Sequence, residues 1–334
     1  MNKLLYLLLI AVCWSCSQDS ETEKHQSKRD QVVDVRDKMK EFSTQDVLIG
    51  RISRTYLIDN YLIVTDYNSP DKLIHLFDKN TFEHLASSTY QGQGPGEITI
   101  IGHVGIDETN RRFFVSDHGK LKIFAYDLDS VLTTPEYQPS VKIDMKKKLF
   151  PDDYLYLNDT LCIAKIIEPI GNNDYKPSVA RWNMATGEIN PMMPYEYPDL
   201  KKVRFIYAAS AEHQLYVQCY TQYDLMTICD FNGNLKCNIY GPKWVNEKTQ
   251  TQHYSLGVEF CGDKILALYS GGDHRTDAYY PTKFLVFDLN GNYLKTLETG
   301  YMITDFCYDK ENNRLIINLN DEIQFAYLDL EGII

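Results

Sequence analysis

The stretch Gly92-Gln93-Gly94-Pro95-Gly96-Glu97 carries more backbone constraint than any other part of the chain. Glycine permits a positive φ, whereas Pro95 fixes its own φ and disfavours the α region for Gly94. The stretch therefore predicts a shaped loop and excludes a helix. We expect both Gly94 and Gly96 to have a positive φ, which a residue with a side chain adopts only at a cost.

A glycine-rich loop can bind phosphate, but the residues that follow this one argue against it. A P-loop requires Lys and Ser or Thr directly after its last glycine, and a dinucleotide-binding loop requires a helix there. Here Glu97 follows Gly96, and its carboxylate would repel a phosphate group. The sequence instead favours a structural connection between two sheets.

The chain on both sides of this loop consists of short runs rich in Val, Ile, Tyr and Phe, broken by Asn, Asp and Gly. One unit recurs: an upstream apolar strand, a turn, and a downstream apolar strand that ends in Asp or Asn before another turn. The upstream strands are Tyr61–Asp66, Phe113–Asp117, Thr160–Ala164, Leu215–Gln218, Lys264–Leu268 and Arg314–Ile317. The downstream strands are Leu73–Asp78, Ile123–Asp127, Val179–Asn183, Met226–Asp230, Leu285–Asp288 and Phe325–Asp329.

Units of about fifty residues with roughly four strands each are what a β-propeller requires. Six upstream and six downstream strands predict an all-β fold, a six-bladed β-propeller of four-stranded antiparallel blades. The last unit ends close to Ile334, so an earlier strand must complete the final blade, because an unpaired sheet edge would otherwise remain exposed. We expect Val32–Val35 to pair with Asp321–Leu330 or with Gly332–Ile334, which would close the ring by an N-terminal strand.

Gly92, Gly94, Pro95, Gly96 and Glu97 match a G-x-G-P-G-E signature at the first blade junction of one group of proteins. On these residues the chain resembles the six-bladed β-propeller lipoproteins that are related to TolB-like and NHL-repeat propellers. The resemblance extends over residues 32–334, by motif at the signature and by strand pattern elsewhere. It implies the propeller fold and a location in a Gram-negative cell envelope, whereas the molecular activity of that family is mostly unassigned.

The amino terminus has the order of a secretory signal, in which Lys3 is followed by the short apolar run Leu4–Val12 and by small and thiol residues. The apolar run is too short to span a bilayer. Ser15-Cys16 resembles a bacterial lipobox, although Cys13 departs from the usual leucine. We expect residues 1–15 to be a lipoprotein signal peptide and Cys16 to be lipidated. An ordinary signal peptide that is cleaved nearby is the alternative.

Ser17–Asp30 contains no large apolar residue, so we predict a disordered tether over residues 16–30 and a single propeller domain over residues 31–334. Asp19, Glu21 and Glu23 resemble the export signal of some Gram-negative surface lipoproteins. The sequence thus predicts an envelope protein that is lipid-anchored to the outer membrane and faces either the cell surface or the periplasm. We expect the lipid anchor to be its only contact with the membrane.

Charge and cysteine spacing exclude other functions. The chain has 34 Lys and Arg against 46 Asp and Glu, a formal net charge of −12, and no basic stripe, so we expect no nucleic acid partner. The cysteines beyond the signal region show no C-x-x-C spacing, which argues against a zinc site. Most lie in strand-like runs, so we expect buried free thiols, with a Cys229–Cys237 bridge as the alternative.

The chain contains no motif for catalysis, because G-x-S-x-G and H-E-x-x-H are absent and the histidines are scattered. We therefore favour a binding protein over an enzyme and expect no metal or other cofactor. The alternative is a calcium-dependent hydrolase or lactonase of the propeller type, with calcium as the cofactor. The carboxylates and amide available to it are Glu97, Asp107, Glu168, Asn172 and Glu259.

Two long connections between an upstream and a downstream strand, 167–175 and 270–280, are the candidate ligand-binding segments. Both should project from the same face, and loops on a rigid scaffold commonly carry binding residues. Their tyrosines suit flat contact with a carbohydrate, a peptide or a protein partner. The candidate residues are Glu168, Asn172, Asn173, Tyr175, Asp273, His274, Arg275, Tyr279 and Tyr280.

Overall fold

The computed structural model describes residues 22–44, 47–171, 174–192 and 200–334. These residues form 26 strands in six sheets, and each sheet is one blade of a ring. The predicted all-β, six-bladed β-propeller is therefore confirmed. The predicted signal peptide, Cys16, Asn172 and Asn173 lie outside the described residues.

The first three strands, β1 (Glu23–His25), β2 (Val32–Asp34) and β3 (Lys40–Glu41), precede the blades, with a 3-10 turn at Arg36–Lys38. Blade 1 contains β4 (Ser53–Ile58), β5 (Tyr61–Asp66), β6 (Lys72–Asp78) and β7 (His84–Tyr90). Blade 2 contains β8 (Ile101–Asp107), β9 (Arg112–Asp117), β10 (Lys122–Asp127) and β11 (Ser140–Asp144), with helix α1 (Leu128–Thr133) after β10.

Blade 3 contains β12 (Phe150–Asn158), β13 (Leu161–Gly171), β14 (Asp174–Asn183) and β15 (Glu188–Pro191). Blade 4 contains β16 (Phe205–Ser210), β17 (Leu215–Tyr220), β18 (Leu225–Asp230) and β19 (Leu235–Tyr240). Blade 5 contains β20 (Thr251–Cys261), β21 (Lys264–Asp273), β22 (Lys283–Asp288) and β23 (Tyr293–Glu298), with a 3-10 turn at Asp277–Tyr279. Blade 6 contains β24 (Ile303–Asp309), β25 (Arg314–Leu319) and β26 (Phe325–Asp329).

The predicted upstream and downstream strands are the second and third strands of the six blades. The first strands lie at the centre of the ring, where those of neighbouring blades contact each other, including β24 with β4. Apolar side chains of facing blades pack between them, as Leu62 and Phe77 of blade 1 do against Ile316 of blade 6. We call the face at which the first strands begin the upper face. The connections between blades, and those between second and third strands, lie on it.

The Gly92–Glu97 loop connects blades 1 and 2 on the upper face and is held together by its own glutamate. Gly94 N donates to Glu97 Oε2 (2.6 Å), and Lys120 Nζ donates to the carbonyl oxygens of Gly94 (2.9 Å) and Glu97 (2.8 Å). Gly96 has a φ of 72°, as predicted, whereas Gly94 is not among the residues with positive φ. The prediction for Gly94 is therefore wrong. A Cβ at Gly94 would lie 2.9 Å from Glu97 Oε2, so the lack of a side chain at Gly94 leaves room for the Glu97 carboxylate.

An aspartate at the end of the second strand ties each of the first two blades to the connection that precedes it. Asp66 Oδ2 accepts a hydrogen bond from Gly50 N (2.6 Å). Asp117 accepts from Thr99 N (2.8 Å) and Ile100 N (3.1 Å). These carboxylates satisfy backbone N–H groups that no strand partner reaches, so the upper-face connections have a defined shape.

An N-terminal strap, residues 22–42, crosses the outer edges of blades 4, 5 and 6. β1 pairs parallel with β19, β2 pairs parallel with β23, and β3 pairs antiparallel with β26 as the fourth strand of blade 6. The ring is closed by an N-terminal strand, as predicted, but that strand is Lys40–Glu41, so the pairing predicted for Val32–Val35 is wrong. Val32 and Val33 are more typical strand residues than Lys40 and Glu41 are. Lys40–Glu41 can nevertheless pair with the free edge of β26, because the pairing uses backbone groups and does not depend on the side chain.

The prediction of a disordered tether is wrong for residues 22–30. Glu23–His25 is a strand, Glu23 Oε1 accepts from Asn238 Nδ2 (3.0 Å), and Arg29 forms a buried ion pair with Asp224. The prediction failed because it was based only on the lack of large apolar side chains. This segment is held instead by backbone pairing at a sheet edge and by one buried charge pair.

The six cysteines of the described residues are buried and have free thiols, as expected. Across the β18–β19 hairpin, Cys229 lies opposite Leu235 and Cys237 lies opposite Ile228, so the two thiols do not occupy paired positions. Within the described residues, no helix is long and apolar enough to cross a bilayer.

Candidate functional site

The first strands of all six blades line a central cavity of about 700 Å³. Its lining extends from Ile100 and Tyr67 at the upper face to Glu108 and Ser210 at the lower ends of the first strands. Pockets of this size hold small ligands in many proteins. Charged and aromatic residues interrupt the apolar pattern of the first strands, and they converge on the axis because the six strands meet there.

The polar residues of the cavity lie at two levels. Arg54, His103 and Asp305 each lie four residues before the lower end of their first strand, whereas Tyr56 and Glu259 lie two residues before it. Two residues of a strand span about 6.6 Å. The cavity therefore presents an upper level with the guanidinium of Arg54 and a lower level with the carboxyl group of Glu259.

Two carboxyl groups in the cavity are hard to ionise. Burial raises the pKa of Glu259 to about 8, and the nearby carboxyl groups of Asp305 and Asp153 act in the same direction. Burial raises the pKa of Asp305 to about 6, although the Arg54 guanidinium acts against it. Asp305 Oδ2 accepts hydrogen bonds from Thr55 N (2.6 Å) and Thr55 Oγ1 (2.9 Å). Glu259 is thus mostly protonated at neutral pH and can donate as well as accept.

The remaining charges on the blade 3 side of the cavity are paired. Lys165 Nζ lies 2.8 Å from Asp152 Oδ2, and although burial opposes ionisation of Asp152, this ammonium holds its pKa below the usual value. His103 Nδ1 lies 3.0 Å from Asp153 Oδ1, and its Nε2 lies 2.8 Å from the carbonyl oxygen of Tyr154. Burial lowers the pKa of His103. Both neighbours are acceptors, so a neutral His103, which has one N–H, donates to only one of them.

Arg54, Tyr56 and Tyr67 of blade 1 line the cavity, and their side-chain donors have no hydrogen-bond partner among the described residues. The Arg54 side chain lies inside the ring but is exposed, because its surface faces the cavity. Burial raises the pKa of Tyr56 and of Tyr67, while the neighbouring Arg54 guanidinium acts in the opposite direction. The Tyr56 hydroxyl is buried and has no hydrogen-bond partner among the described residues.

The loop residues predicted to bind a ligand lie away from this cavity. Glu168 and Tyr175 line a second cavity, of about 690 Å³, beside blades 3 and 4. There the guanidinium of Arg204 stacks 3.7 Å from the Tyr175 ring centroid and pairs with Asp174. Much of the predicted loop 167–175 is strand, because β13 continues to Gly171.

The second predicted loop, 270–280, forms contacts mainly within itself. Arg275 Nη2 lies 2.6 Å from Asp273 Oδ2, and the rings of Tyr279 and Tyr280 lie 4.2 Å apart. His274 Nδ1 lies 2.9 Å from the carbonyl oxygen of Gln250. The structure thus places the two predicted loops on the upper face but in separate blades, and it brings neither into the central cavity.

The carboxylates considered for a calcium-dependent hydrolase do not share one site. Glu97 caps its own loop, Asp107 accepts hydrogen bonds from Asn110 at a lower-face turn, and only Glu259 lines the central cavity. Across the described ranges, no three His, Cys, Asp or Glu side chains are grouped closely enough to hold a metal ion.

Sequence reasoning missed most of the cavity residues, because it did not identify the first strands individually. Once the strand bounds are known, a pattern is visible: Arg54, His103 and Asp305 are polar residues at the same distance from the ends of their first strands.

Comparison with known proteins agrees with this fold. Residues 22–160 match the profile of a family described as DUF5128: 6-bladed beta-propeller. The described structure and this match together define a six-bladed β-propeller. A search of curated protein sequences found no significant match.

Two solved structures are similar to the chain. A member of the DUF4221 family from Bacteroides vulgatus shares 12% identity with a TM-score of 0.55, over 87% of this chain and 95% of that one. A Bacteroides fragilis protein, described as a candidate exported protein, shares 9% identity with a TM-score of 0.56, over 92% of this chain and 98% of that one. At such low identity the similarity concerns the fold alone.

Proposed function

We propose that this chain is a lipid-anchored propeller of the bacterial cell envelope that binds a small polar ligand in its central cavity without catalysis. The observation that carries the proposal is a cavity of about 700 Å³ lined by the Arg54 side chain, whose guanidinium has no hydrogen bond or ion pair to a described residue. A ligand with an acceptor group would pair with this guanidinium.

The chemistry of the lining supports binding over catalysis. Burial raises the pKa of the Cys307 thiol well above its usual value, which keeps this cavity residue protonated. A thiol acts as a nucleophile when its pKa is lowered or a base activates it. The raised pKa of Cys307 therefore argues against a thiol nucleophile in the cavity.

The predicted envelope location is kept as part of the proposal. A signal peptide over residues 1–15 and a lipidated Cys16 would place the propeller at the outer membrane, exposed at the surface. The similar Bacteroides fragilis structure is described as a candidate exported protein, which supports export of this chain. Loops 167–175 and 270–280 lie on the upper face and would contact a larger carbohydrate or protein partner around the cavity mouth.

A binding survey tests the proposal. The mature chain is incubated with oligosaccharide and peptide libraries, and native mass spectrometry identifies ligands bound at one per chain. We expect a double variant, Arg54→Ala with Glu259→Ala, to lose the bound ligand. A matched rim variant, Arg275→Ala with Tyr280→Ala, should keep it. Loss in the rim variant alone would move the site to the loops, and hydrolysis of a bound compound would show catalysis.

A further inference from the structure

We infer that the ligand of the central cavity carries a carboxylate, and that Arg54 and Tyr67 of blade 1 bind it. This inference rests on the proposed function and specifies the ligand of that same site.

The first step is the unused donor capacity of Arg54. A guanidinium has five N–H donors and no acceptor, so only an acceptor can satisfy it. Within the described chain, Arg54 has neither a hydrogen bond nor an ion pair, although it lies inside the ring and lines the cavity. Surface arginines commonly remain solvated, but one that faces an enclosed cavity is in position to pair with a ligand.

The second step is that a phenol group lies beside this guanidinium. Arg54 lies opposite Thr65 across the β4–β5 pair, so Tyr67, two residues beyond Thr65, lies diagonally next to Arg54 on the same face. The Tyr67 side chain lines the same cavity, and its hydroxyl makes no hydrogen bond to a described residue. The guanidinium and this phenol are therefore two neighbouring donors with no acceptor in the described structure.

The third step is the choice of acceptor. A guanidinium binds a carboxylate through two parallel N–H···O bonds, and such charge-assisted bonds are roughly twice as strong as neutral ones. The Tyr67 hydroxyl can donate to a remaining lone pair of the same carboxylate. A neutral carbonyl has a single oxygen and no charge to balance the guanidinium, so a carboxylate fits these donors better.

The carboxyl groups elsewhere in the cavity would repel an anion, but most are already neutralised or engaged. Asp152 is paired with Lys165, Asp153 lies 3.0 Å from His103, and Asp305 accepts two bonds from Thr55. Glu259 is mostly protonated at neutral pH. Glu259, which lies one level (about 6.6 Å) below Arg54, suits a hydroxyl or amine group at the other end of the ligand.

A carboxylate next to hydrogen-bond donors occurs in sugar acids and at peptide carboxyl termini, and paired probes distinguish these sources. Isothermal titration of the mature chain compares D-glucuronate with D-glucose, and alanyl-alanine with alanyl-alanine amide. We expect at least one acid to bind, and its neutral counterpart to bind at least about tenfold more weakly. Which acid binds identifies the source of the carboxylate.

Substitutions locate the carboxylate. Arg54→Gln should weaken acid binding at least about tenfold, and Tyr67→Phe, which removes only a hydroxyl, should weaken it about threefold to tenfold. Arg51→Gln is the matched control, because Arg51 is an exposed arginine of the same blade that does not line the cavity. It should bind as the wild type does. Urea denaturation of each variant confirms that it folds.

Three outcomes overturn the inference: neutral probes that bind as well as the acids, an Arg54→Gln variant that binds acid normally, or no binding of either acid at millimolar concentration. Failure of the proposed function looks different. If a neutral or cationic compound binds and Glu259→Gln abolishes its binding while Arg54→Gln does not, the cavity is still a binding site and only the carboxylate is wrong. If cavity variants alter the binding of no compound, the proposed function fails as well.

Discussion

Arg29 Nη1 lies 2.9 Å from Asp224 Oδ1, and only 8% and 0% of the two side chains are exposed. Arg29 Nη2 also donates to the Tyr254 hydroxyl (3.1 Å), while Asp224 Oδ2 accepts from Lys243 N (3.1 Å). Arg29 and Asp224 are 195 residues apart in sequence. Their ion pair holds the N-terminal strap at the junction of blades 4 and 5. The strap is part of the fold and not a tether to it.

The first prediction concerns this ion pair. Arg29→Ala should lower the free energy of unfolding by about 3–5 kcal/mol, because it leaves Asp224 as a buried charge without its partner. Urea denaturation at neutral pH measures the change. Lys28→Ala is the control, because Lys28 pairs with Asp30 at the surface and its removal should change little. Equal effects of the two substitutions would contradict the role of Arg29.

The second prediction concerns ring closure. Deletion through Asp30 should lower the melting temperature, because β1 and Arg29 are lost. Deletion through Phe42 should lower it much further, because the fourth strand of blade 6 is lost with β3, and so is Phe42, whose ring lies 3.7 Å from that of Phe82. Scanning calorimetry of the two truncations measures both steps. A melting temperature unaffected by the shorter deletion would show that the blade 4 contacts are dispensable.

The third prediction separates two glycines of the signature loop. Gly96→Ala should destabilise the protein by about 1 kcal/mol or more, because alanine disfavours a φ of 72°. The new Cβ would also overlap the Gln138 side chain. Gly94→Ala acts by crowding Glu97 Oε2, so combining it with Glu97→Ala should relieve its cost, whereas the same combination should not rescue Gly96→Ala. Equal rescue of both would contradict this distinction.

The fourth prediction concerns pH. The pKa of Glu259 is raised from 4.5 to about 8 in the folded protein, so the folded state holds this proton more tightly than the unfolded state does. Stability associated with that proton is therefore lost as pH rises from about 4.5 to 8. Glu259→Gln should remove this loss and stabilise the protein at pH 9 by about 1–3 kcal/mol, because the cavity admits some solvent and the group is only partly desolvated.

Urea denaturation at pH 6 and pH 9 measures that effect. The variant should exceed the wild type by more at pH 9 than at pH 6, because only part of the loss has occurred by pH 6. Asp305 is the other cavity carboxyl with a raised pKa, at about 6, so its titration is nearly complete before the upper part of this range. A constant difference between variant and wild type across the range would contradict the raised pKa of Glu259.

The fifth prediction concerns export. Cys16→Ser should abolish metabolic labelling with palmitate and shift the protein from the membrane fraction to the soluble fraction, because the lipid acceptor is lost. Ser17→Ala, a neighbouring change that keeps the cysteine, should leave both unchanged. Retention of Cys16→Ser in the membrane fraction would contradict the lipoprotein assignment.

The sequence by itself determined the architecture of this protein. Strand pairs such as Tyr61–Asp66 and Leu73–Asp78 lie close together in the chain, so local alternation and turn residues specify them, and their repetition six times implies a ring. The positive φ of Gly96 was predictable for the same reason, since it depends on residues within the loop itself.

Only the tertiary structure decided which distant segments meet. Three features depend on contacts that cannot be inferred from residue type. They are the pairing of Lys40–Glu41 with β26, the burial of Arg29 against Asp224, and the position of Arg54, Tyr56 and Tyr67 around one cavity. The sequence does not show whether a polar side chain in a strand faces solvent, a neighbouring blade or the axis. The six first strands converge only when the ring closes, and that closure turns scattered polar residues into a cavity.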